Sequence, residues 1–436
     1  MNIGFYKWSD TGEQVKIRIL RRAQADIEDV LSKVKPIVED VRLRGDAALL
    51  EYAQKFDKAA LRSLKVSDAE FEAANKNVDP KLKAAIDRNV RNVRIFHEEQ
   101  MRRVEAPWMI EIEPGVFAGE KVTPVTSIGL YVPGGKNLFP SSVYMLAVPA
   151  VAAGVPEIII TTPPRPDGSV SDAILYAAHA SGVRTIYKAG GAAAIAAMAY
   201  GTESVPRVHK ILGPTSPFGA AAKQLVGGQI NPGMPAGPSD ALVLCDETAD
   251  PGNTVLDVLN EAEHGPDSAG LLVTHDEKLA KYVHEKLKTA IEALPEPQKS
   301  YLAANMASYS GIVLTDSLEA SIDFCNLYAP EHLVIKTRDP ESLLPRILNA
   351  GEILIGENTP SSLGNFSIGV NHVLPTGGMA HSYSCTSVWD YLKRTSLAKV
   401  TAEGLNALTP ATLAMADYEG FPAHGNVLRQ RKVRNS

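Results

Sequence analysis

The sequence predicts an α/β fold that contains two parallel-sheet units. Short apolar runs begin at residue 127 and alternate with alanine-rich stretches of helical character, and the same alternation repeats between residue 240 and about residue 378. Such alternation is typical of a parallel sheet with helices on both faces. The chain has 436 residues, of which 45% are hydrophobic and 22% are charged, so it can bury more than one core.

Composition narrows the classes of partner. The formal net charge is −6 with both signs interspersed, which gives no reason to expect nucleic acid or an anionic membrane as a partner. No run approaches the roughly 20 apolar residues of a transmembrane helix, and the first residues lack the apolar stretch of a signal peptide. The three cysteines, Cys245, Cys325 and Cys385, form no CxxC pair, which favours buried thiols. We therefore expect a cytoplasmic protein.

The segments before the first sheet unit are predicted to be an arm and a set of helices. Residues 1–24 have mixed polarity and little periodicity, as in an N-terminal arm. Residues 25–126 carry amphipathic helix patterns. We expect these helices to join residues 240–378 in one α/β domain, because the unit at 127–239 looks like an insertion between them.

The unit at residues 127–239 is predicted to contain four strands, in the runs SIGLYV, EIIITT, RTIYK and HKIL. The ligand crevice of such a unit is expected at the carboxyl ends of its strands. Those ends carry glycine-containing turns at residues 133–135, 190–191 and 213–216, where the backbone can approach a phosphate closely. A GxGxxG motif is absent, so nucleotide binding and an ordinary turn role both remain open.

The unit at residues 240–378 is predicted to contain five strands, in the runs DALVLC, AGLLVTH, GIVLTD, EHLVIKT and EILIGE. After about residue 378 the alternation ends. The segment 379–436 is predicted to form short helices with little core of its own. Because such a segment tends to dock elsewhere, we expect it to reach a partner subunit.

Four polar clusters could carry chemistry: Glu261 with His264, Glu331 with His332, Asn365 with Asn371 and His372, and Glu419 with His424. Glu261 and His264 are three residues apart near a helix end and can share a face. Glu331 and His332 stand together at the start of a strand and can serve acid–base chemistry. Taken alone, each cluster is more typical of an exposed turn. Together they suit a catalytic zinc ion with nitrogen and oxygen ligands.

A series of motifs resembles the histidinol dehydrogenase family from roughly residue 30 to residue 430. The motifs occur in the order GLYVPGG, YGTESVP, MPAGPSD, EAEHGPDS, YAPEHL, NHVLPT and EGFPAH. The resemblance implies two incomplete Rossmann-like domains with small helical terminal segments, in a domain-swapped homodimer. The unit at 127–239 would bind NAD, and 25–126 with 240–378 would bind zinc and substrate. The implied reaction is the four-electron oxidation of a primary alcohol, through an aldehyde, to a carboxylate, with Zn²⁺ and two NAD.

The resemblance also implies roles for individual residues. The implied zinc ligands are Glu261, His264, Asn365 and, from the partner subunit, His424. The implied catalytic groups are His332, as the base that takes the hydroxyl proton, and Glu331, as the group that activates water. The implied substrate contacts are Ser239, His372 and Glu419. The implied cofactor contacts are Tyr131 and the positions of Ala193 and Ser216.

Four positions depart from the usual pattern of the family. Glu261 stands where glutamine is usual, and Asn365 stands where aspartate is usual. This exchange leaves the charge of the pair unchanged but moves the negative ligand to another side of the metal. Ala193 and Ser216 replace a glutamine and an asparagine on the NAD side. Two side chains that hydrogen-bond the cofactor in the family are therefore missing.

These departures favour a branch of the family with another substrate. Our first prediction is the oxidation of 2,3-dihydroxypropane-1-sulfonate to sulfolactate, with His381 as a candidate sulfonate contact. The alternative is the oxidation of L-histidinol to L-histidine. A silent zinc- or nucleotide-binding protein is a third alternative, and the presence of Glu331, His332, His264 and His424 argues against it. No arginine is obvious for a 2′-phosphate, which favours NAD over NADP.

Overall fold

The computed structural model describes residues 1–22, 27–104, 107–134 and 138–431. Within them lie thirteen strands, β1 to β13 in chain order: Gly4–Lys7, Trp108–Glu113, Val116–Pro124, Ser127–Tyr131, Glu157–Thr162, Ile186–Lys188, Lys210–Leu212, Asp240–Cys245, Ala269–Thr274, Gly311–Leu314, His332–Lys336, Glu352–Ile355 and Leu392–Val400. The α-helices of these ranges, α1 to α16, are Glu13–Arg21, Ile27–Arg44, Asp46–Tyr52, Asp68–Asn77, Pro80–Arg102, Pro140–Ala152, Asp172–Ser181, Gly191–Tyr200, Pro217–Val226, Pro251–Asn260, Glu277–Glu292, Gln298–Met306, Leu318–Tyr328, Ser361–Phe366, Ala402–Tyr418 and Pro422–Arg429. Gly135, at the end of the predicted 133–135 turn, lies outside the described residues, as do parts of the predicted arm and tail.

The larger sheet has six parallel strands in the order β1–β10–β9–β8–β11–β12. Every residue of β8, β9 and β11 is buried. Continuous apolar runs of this kind are typical of strands that helices cover on both faces. The five strands predicted for residues 240–378 are therefore confirmed.

The smaller sheet has four parallel strands in the order β6–β5–β4–β7. Helices α6, α7, α8 and α9 each follow one of its strands in the sequence. The four strands predicted for residues 127–239 are confirmed, and with them the α/β class with two parallel sheets.

The helices between residues 27 and 102 pack on the smaller sheet, so our expectation that they join residues 240–378 is wrong. Val34, Val38 and Val41 of α2 lie in one core with α8 and α9. Ile86 and Val90 of α5 lie in another core with α6 and α7. The physical reason is that the central strand β4 is fully buried, so the smaller sheet needs helical cover on both faces.

The described part of the predicted N-terminal arm belongs to the larger sheet. Strand β1 pairs in parallel with β10, with Gly4 opposite Gly311. Helix α1 buries Ile19 in the core beneath this sheet. The arm therefore adds an edge strand and a helix, which its weak periodicity did not indicate because most of its side chains are at least partly exposed.

A small antiparallel sheet, in the order β13–β3–β2, was not predicted. We expected the whole tail after residue 378 to be helical, but Leu392–Val400 forms β13 and pairs with β3 along its full length. None of its side chains is fully buried, and the pairing partner lies far away in the sequence, so the run carries no strand periodicity. The rest of the tail includes the helices α15 and α16, as expected.

Two further findings concern the cysteines and the helices. All three cysteines are free thiols; Cys245 and Cys325 are buried and Cys385 is partly buried. None of the helices in the described ranges has both the length and the apolar character needed to cross a bilayer.

Two glycines with positive φ differ in whether an added side chain would clash with its surroundings. Substituting each of them therefore distinguishes the cost of backbone strain from the cost of a steric clash. Gly213 has φ +124°, and a Cβ there would collide with the carbonyl oxygen of Tyr131 in β4. Gly154 has φ +74° with open space around the same position. We expect Gly154→Ala to lower the free energy of unfolding by about 1 kcal/mol, through strain alone. Gly213→Ala should cost about 3 kcal/mol or more, because β4 must also move. Urea denaturation followed by circular dichroism measures both, and equal losses would contradict the clash.

Candidate active site

Most of the predicted site residues line one cavity of about 260 Å³. Pro133 and Pro214 follow β4 and β7, so the smaller sheet presents the carboxyl ends of its strands to this cavity. Ser239, Ser268 and Glu331 precede β8, β9 and β11, so the larger sheet presents the amino ends of its strands. The expected crevice at the carboxyl ends therefore holds for the smaller sheet only.

The turn with Glu261 and His264 enters the cavity from the end of α10. The side chain of Asp250 caps the start of this helix by accepting a hydrogen bond from the Asn253 amide at 2.8 Å. After α10 the chain tightens into a 3₁₀ turn at Glu261–His264. The Glu261 side chain is 1% exposed, whereas that of His264 is 41% exposed. The turn thus places a buried carboxylate behind a more accessible imidazole.

Glu261 is the centre of a hydrogen-bonded cluster. Its Oε1 accepts hydrogen bonds from the side-chain amides of Asn260 at 2.7 Å and Asn365 at 2.6 Å. Its Oε2 lies 3.1 Å from His264 Nδ1 and 3.8 Å from His332 Nε2. Burial opposes ionisation, but the two histidines and Asn365 outweigh it and lower the pKa of Glu261 to about 2. The carboxylate is therefore ionised at neutral pH.

The cluster offers two donors of the kinds that zinc prefers, together with one amide. Glu261 supplies a carboxylate oxygen, His264 an imidazole nitrogen and Asn365 an amide group, all in direct contact through Glu261. Within the described ranges, no group of three or more His, Cys, Asp or Glu side chains could hold a metal ion. The donor set fits a zinc ion in its chemistry but needs a fourth ligand from elsewhere.

His332 is buried at the start of β11 and is oriented by Glu352. Its Nδ1 donates to Glu352 Oε2 at 2.7 Å, which leaves Nε2 facing Glu261 and Glu331, each at 3.8 Å. Burial favours the neutral ring, but the charges of Glu261, Glu331 and Glu352 prevail and raise the pKa of His332 to about 10. In the ligand-free chain, His332 is therefore protonated at neutral pH.

Sequence reasoning missed Glu352. It opens β12 and stands directly opposite His332 in the parallel register of the larger sheet. The signal was that the runs EHLVIKT and EILIGE both begin with polar residues, but only the register shows that the two side chains meet.

Glu331 and Asp240 hold each other in place. The Glu331 amide donates to Asp240 Oδ1 at 2.9 Å, and the Asp240 amide donates to Glu331 Oε2 at 2.9 Å. Burial, assisted by the charges of Asp240 and Glu261, raises the pKa of Glu331 well above its usual range, despite the proximity of His332. A carboxyl group with such a raised pKa, beside a histidine in a cavity, is typical of acid–base chemistry.

Ser239 and His372, the predicted substrate contacts, also line the cavity. His372 Nδ1 donates to the carbonyl oxygen of Asn365 at 2.6 Å, and burial lowers the pKa of His372 to about 4. His372 is therefore neutral at pH 7. Asn371, from the same cluster, does not line the cavity but donates to the buried carbonyl oxygen of Met145 at 2.6 Å.

The structure does not bring Glu419, His424 or His381 to the cavity of their own chain. Glu419 and His424 are exposed in the tail, where the His424 ring lies 5.2 Å from that of Phe421. His381 is also exposed and lies 3.3 Å from the carbonyl oxygen of Leu327. His381 therefore does not line the cavity of its own chain, and its contact with a substrate sulfonate stays a prediction.

Two of the three predicted cofactor residues meet at a second cleft, of about 310 Å³. Ala193 and Ser216 line it at the beginnings of α8 and α9, beside the turn at 190–191. Tyr131 does not line this cleft. Its buried phenol oxygen accepts a hydrogen bond from the Gly191 amide at 3.0 Å, so it supports the turn from behind.

The family model described as histidinol dehydrogenase matches residues 20–432. The chain belongs to the histidinol dehydrogenase family. It is 49% identical over 417 residues to a histidinol dehydrogenase of Synechocystis sp., covering 95% of this chain and 96% of that protein. It is 46% identical over 433 residues to a histidinol dehydrogenase homolog of Rhizobium meliloti, covering 97% of this chain and 93% of the relative.

A crystal structure of histidinol dehydrogenase from Elizabethkingia anophelis matches the fold with a TM-score of 0.89 and 36% sequence identity, covering 96% of this chain and 95% of that one. Enzymes of the histidinol dehydrogenase family use Zn²⁺ and NAD. The chain is accordingly an NAD-dependent dehydrogenase of this family, which oxidises an alcohol to an acid.

We predict that Glu352 supports His332 both by orientation and by charge. Glu352→Ala should lower turnover about a hundredfold, because the imidazole loses both effects. Glu352→Gln should lower it only about tenfold, because the amide oxygen still accepts the Nδ1 hydrogen bond. Steady-state NADH formation measures both variants. Glu357→Gln, a control in the turn after β12 that lies outside the cavity, should leave turnover unchanged. Equal turnover in Glu352→Ala and the control would refute this role.

Proposed function

We propose that this chain oxidises L-histidinol to L-histidine, through the aldehyde, with zinc and two NAD. The observation that carries this proposal is the charge of the cavity. Glu261, Asp267 and Glu331 line it, and within the described ranges no lysine or arginine does. A cationic amino alcohol suits such a cavity, whereas a sulfonate would find no lysine or arginine in the described part of this lining to bind it. The 49% identity to a protein named histidinol dehydrogenase supports the same substrate.

A second candidate substrate is 2,3-dihydroxypropane-1-sulfonate, which the sequence alone favoured. Glu261 and Asn365, which replace the family's usual glutamine and aspartate, still support this substrate, because the replacement moves the negatively charged ligand from one position to the other. The relatives named only as homologs, such as the one of Rhizobium meliloti, leave room for a substrate other than histidinol. We rank this candidate second because its sulfonate would find no arginine or lysine in the described lining.

The proposed zinc ligands are Glu261, His264, Asn365 and His424 of the partner subunit. A bound zinc ion supplies Lewis acidity to the substrate oxygen. The contacts of Glu261 support this assignment, because His264 and Asn365 both contact its carboxylate at the cavity wall. Asn260 holds Glu261 from the other side, and Ser362 donates to Asn260 at 2.7 Å. The carboxylate is thereby fixed before any ligand arrives.

The proposed base is His332. A base must be neutral, whereas three carboxylates keep His332 protonated in the ligand-free chain. A cation on Glu261 would offset the strongest of these charges and lower the pKa of His332. Nε2 then accepts the hydroxyl proton, and Glu352 stabilises the imidazolium through Nδ1. The proposal thus links proton acceptance to the occupied site.

Glu331 is proposed to activate water in the second oxidation. Oxidation of an aldehyde to an acid needs an added oxygen, and a carboxylate can promote attack by water. Glu331 lines the cavity at 3.8 Å from His332 Nε2, so its proton can pass to or from the imidazole. Ser239 and His372 line the same cavity and are proposed to hold the substrate.

We propose that the second cleft binds NAD and that the tail completes the cavity of a partner subunit. Ala193 and Ser216 place helix N-termini at the cleft, where backbone amides can bind a pyrophosphate. Tyr418 and Phe421 of the tail expose large apolar surfaces beside Glu419 and His424. Their exposure in one chain supports burial against a second chain in a homodimer.

The substrate proposal predicts which alcohol reduces NAD. L-histidinol should yield two NADH per molecule oxidised, with kcat/KM at least about a hundredfold above that for 2,3-dihydroxypropane-1-sulfonate, because only the amine matches the acidic cavity. Absorbance at the NADH band measures both. The double variant Glu261→Gln with Asn365→Asp is the matched control for the exchanged ligands. A preference for the sulfonate that this double variant abolishes would reverse our ranking.

The shared-site proposal predicts complementation between subunits. His264→Ala and His424→Ala should each lose zinc and activity, because each lacks one ligand. Co-expressed at equal levels, they should regain about a quarter of the wild-type sites, since half of randomly paired dimers are mixed and each mixed dimer keeps one intact site. Metal analysis and NADH formation measure this recovery. His381→Ala, a histidine outside the cavity, should keep its full zinc content. No recovery would mean that the two histidines do not share a site across subunits.

A further inference from the structure

A buried arginine of the N-terminal segment contacts the turn that leads to Glu331. Arg22 is 9% exposed, and its guanidinium lies 3.6 Å from the centre of the Tyr328 ring. Its Nη2 donates to the carbonyl oxygen of Tyr328 at 2.5 Å and lies 3.4 Å from that of Ala329. One side chain, 306 residues away in sequence, therefore holds the end of α13 by stacking and by hydrogen bonds.

The turn that Arg22 contacts has an unfavourable backbone conformation. Ala329 has φ +47°, in the left-handed region that alanine rarely adopts. Pro330 follows and leads directly to Glu331. Because the peptide groups on both sides of Ala329 face Arg22, the guanidinium holds this conformation, and the conformation sets where Glu331 enters the cavity.

Arg22 reaches Glu331 by a second route, through Asp240. Its Nη2 lies 3.4 Å from Asp240 Oδ1, the oxygen that also accepts the Glu331 amide. The other oxygen, Oδ2, accepts the Gly377 amide at 3.1 Å. The Asp240 amide in turn donates to the Glu331 carboxylate. The guanidinium, Asp240 and Glu331 thus form one connected network of buried groups.

The network contributes little to the free energy of folding. Nε and Nη1 of Arg22 are buried without a hydrogen-bond partner in the described part of the chain. A buried ion pair with such unmet donors recovers little of its desolvation cost. We propose that Arg22 is a positioning residue that fixes the carboxylate of Glu331 for the aldehyde-oxidising step. This inference rests on the role proposed above for Glu331.

The test compares two reactions of one aldehyde at the same site. NADH-dependent reduction of the aldehyde needs hydride transfer but no water, whereas NAD-dependent oxidation needs both. The aldehyde is the one derived from whichever alcohol supports NADH formation. Arg22→Met should lower kcat for oxidation about a hundredfold, because a displacement near 1 Å has this effect, and should leave reduction and the aldehyde KM within about threefold. Arg22→Lys keeps the positive charge but loses the planar guanidinium that stacks on Tyr328. Its kcat for oxidation should fall about tenfold.

Controls separate positioning from loosening of the N-terminal segment. Ile19→Ala removes a buried anchor of α1 but leaves the guanidinium in place. It should reduce thermal stability and change both reactions equally. Glu331→Gln should lower oxidation selectively. If it does not, the role proposed for Glu331 fails. If it does while Arg22→Met slows both reactions alike or neither, the positioning role alone is overturned. Should Arg22→Met not fold, an Arg22→Lys enzyme with an unchanged ratio of oxidation to reduction overturns it.

Discussion

The arrangement of the active site depends on the need to neutralise buried carboxylates. Glu261, Glu331, Glu352 and Asp240 are all nearly inaccessible to water and lie at the amino ends of strands of the larger sheet or beside them. Buried negative charges are tolerated only when cations or hydrogen-bond donors surround them. His264 and His332 contact Glu261, His332 also contacts Glu352, and Arg22 contacts Asp240. The positions of the histidines and of the N-terminal segment follow from this requirement, and a bound divalent cation would satisfy the same charge.

The site also requires both sheets. Central strands buried on both faces force helices to cover the smaller sheet, and the helices of residues 27–102 provide this cover from a distant part of the chain. The smaller sheet can then present the loops after β4 and β7 to the larger one. The acidic side chains of the first cavity belong to the larger sheet and its adjoining turns. The turn at 190–191 and the starts of α8 and α9 form the second cleft. The proposed substrate and cofactor sites therefore lie in two separate cavities.

Local patterns predicted the strands of both parallel sheets except the edge strand β1, because a buried parallel strand is a continuous apolar run. They did not predict β13 or the packing of the early helices, which depend on partners distant in sequence. In the site, motif resemblance singled out Glu261, His264, Glu331 and His332, and the structure brings these four residues to one cavity. The resemblance did not indicate Glu352 or Arg22. The contact of Glu352 is set by strand register, and Arg22 contacts Tyr328, which is 306 residues away in the sequence.

The exchange at positions 261 and 365 is best understood through the hydrogen bond that joins them. Here the Asn365 amide donates to the Glu261 carboxylate. With glutamine at 261 and aspartate at 365, the same bond would run in the opposite direction, so the contact survives while the charge changes its place. In this chain the charge lies 3.8 Å from His332 Nε2 and is the strongest of those that raise the pKa of His332. The exchange would therefore act on the strength of the proposed base as well as on the proposed metal ligand. A substrate that tolerates it must match both, which ties substrate choice to proton transfer at a single pair of side chains.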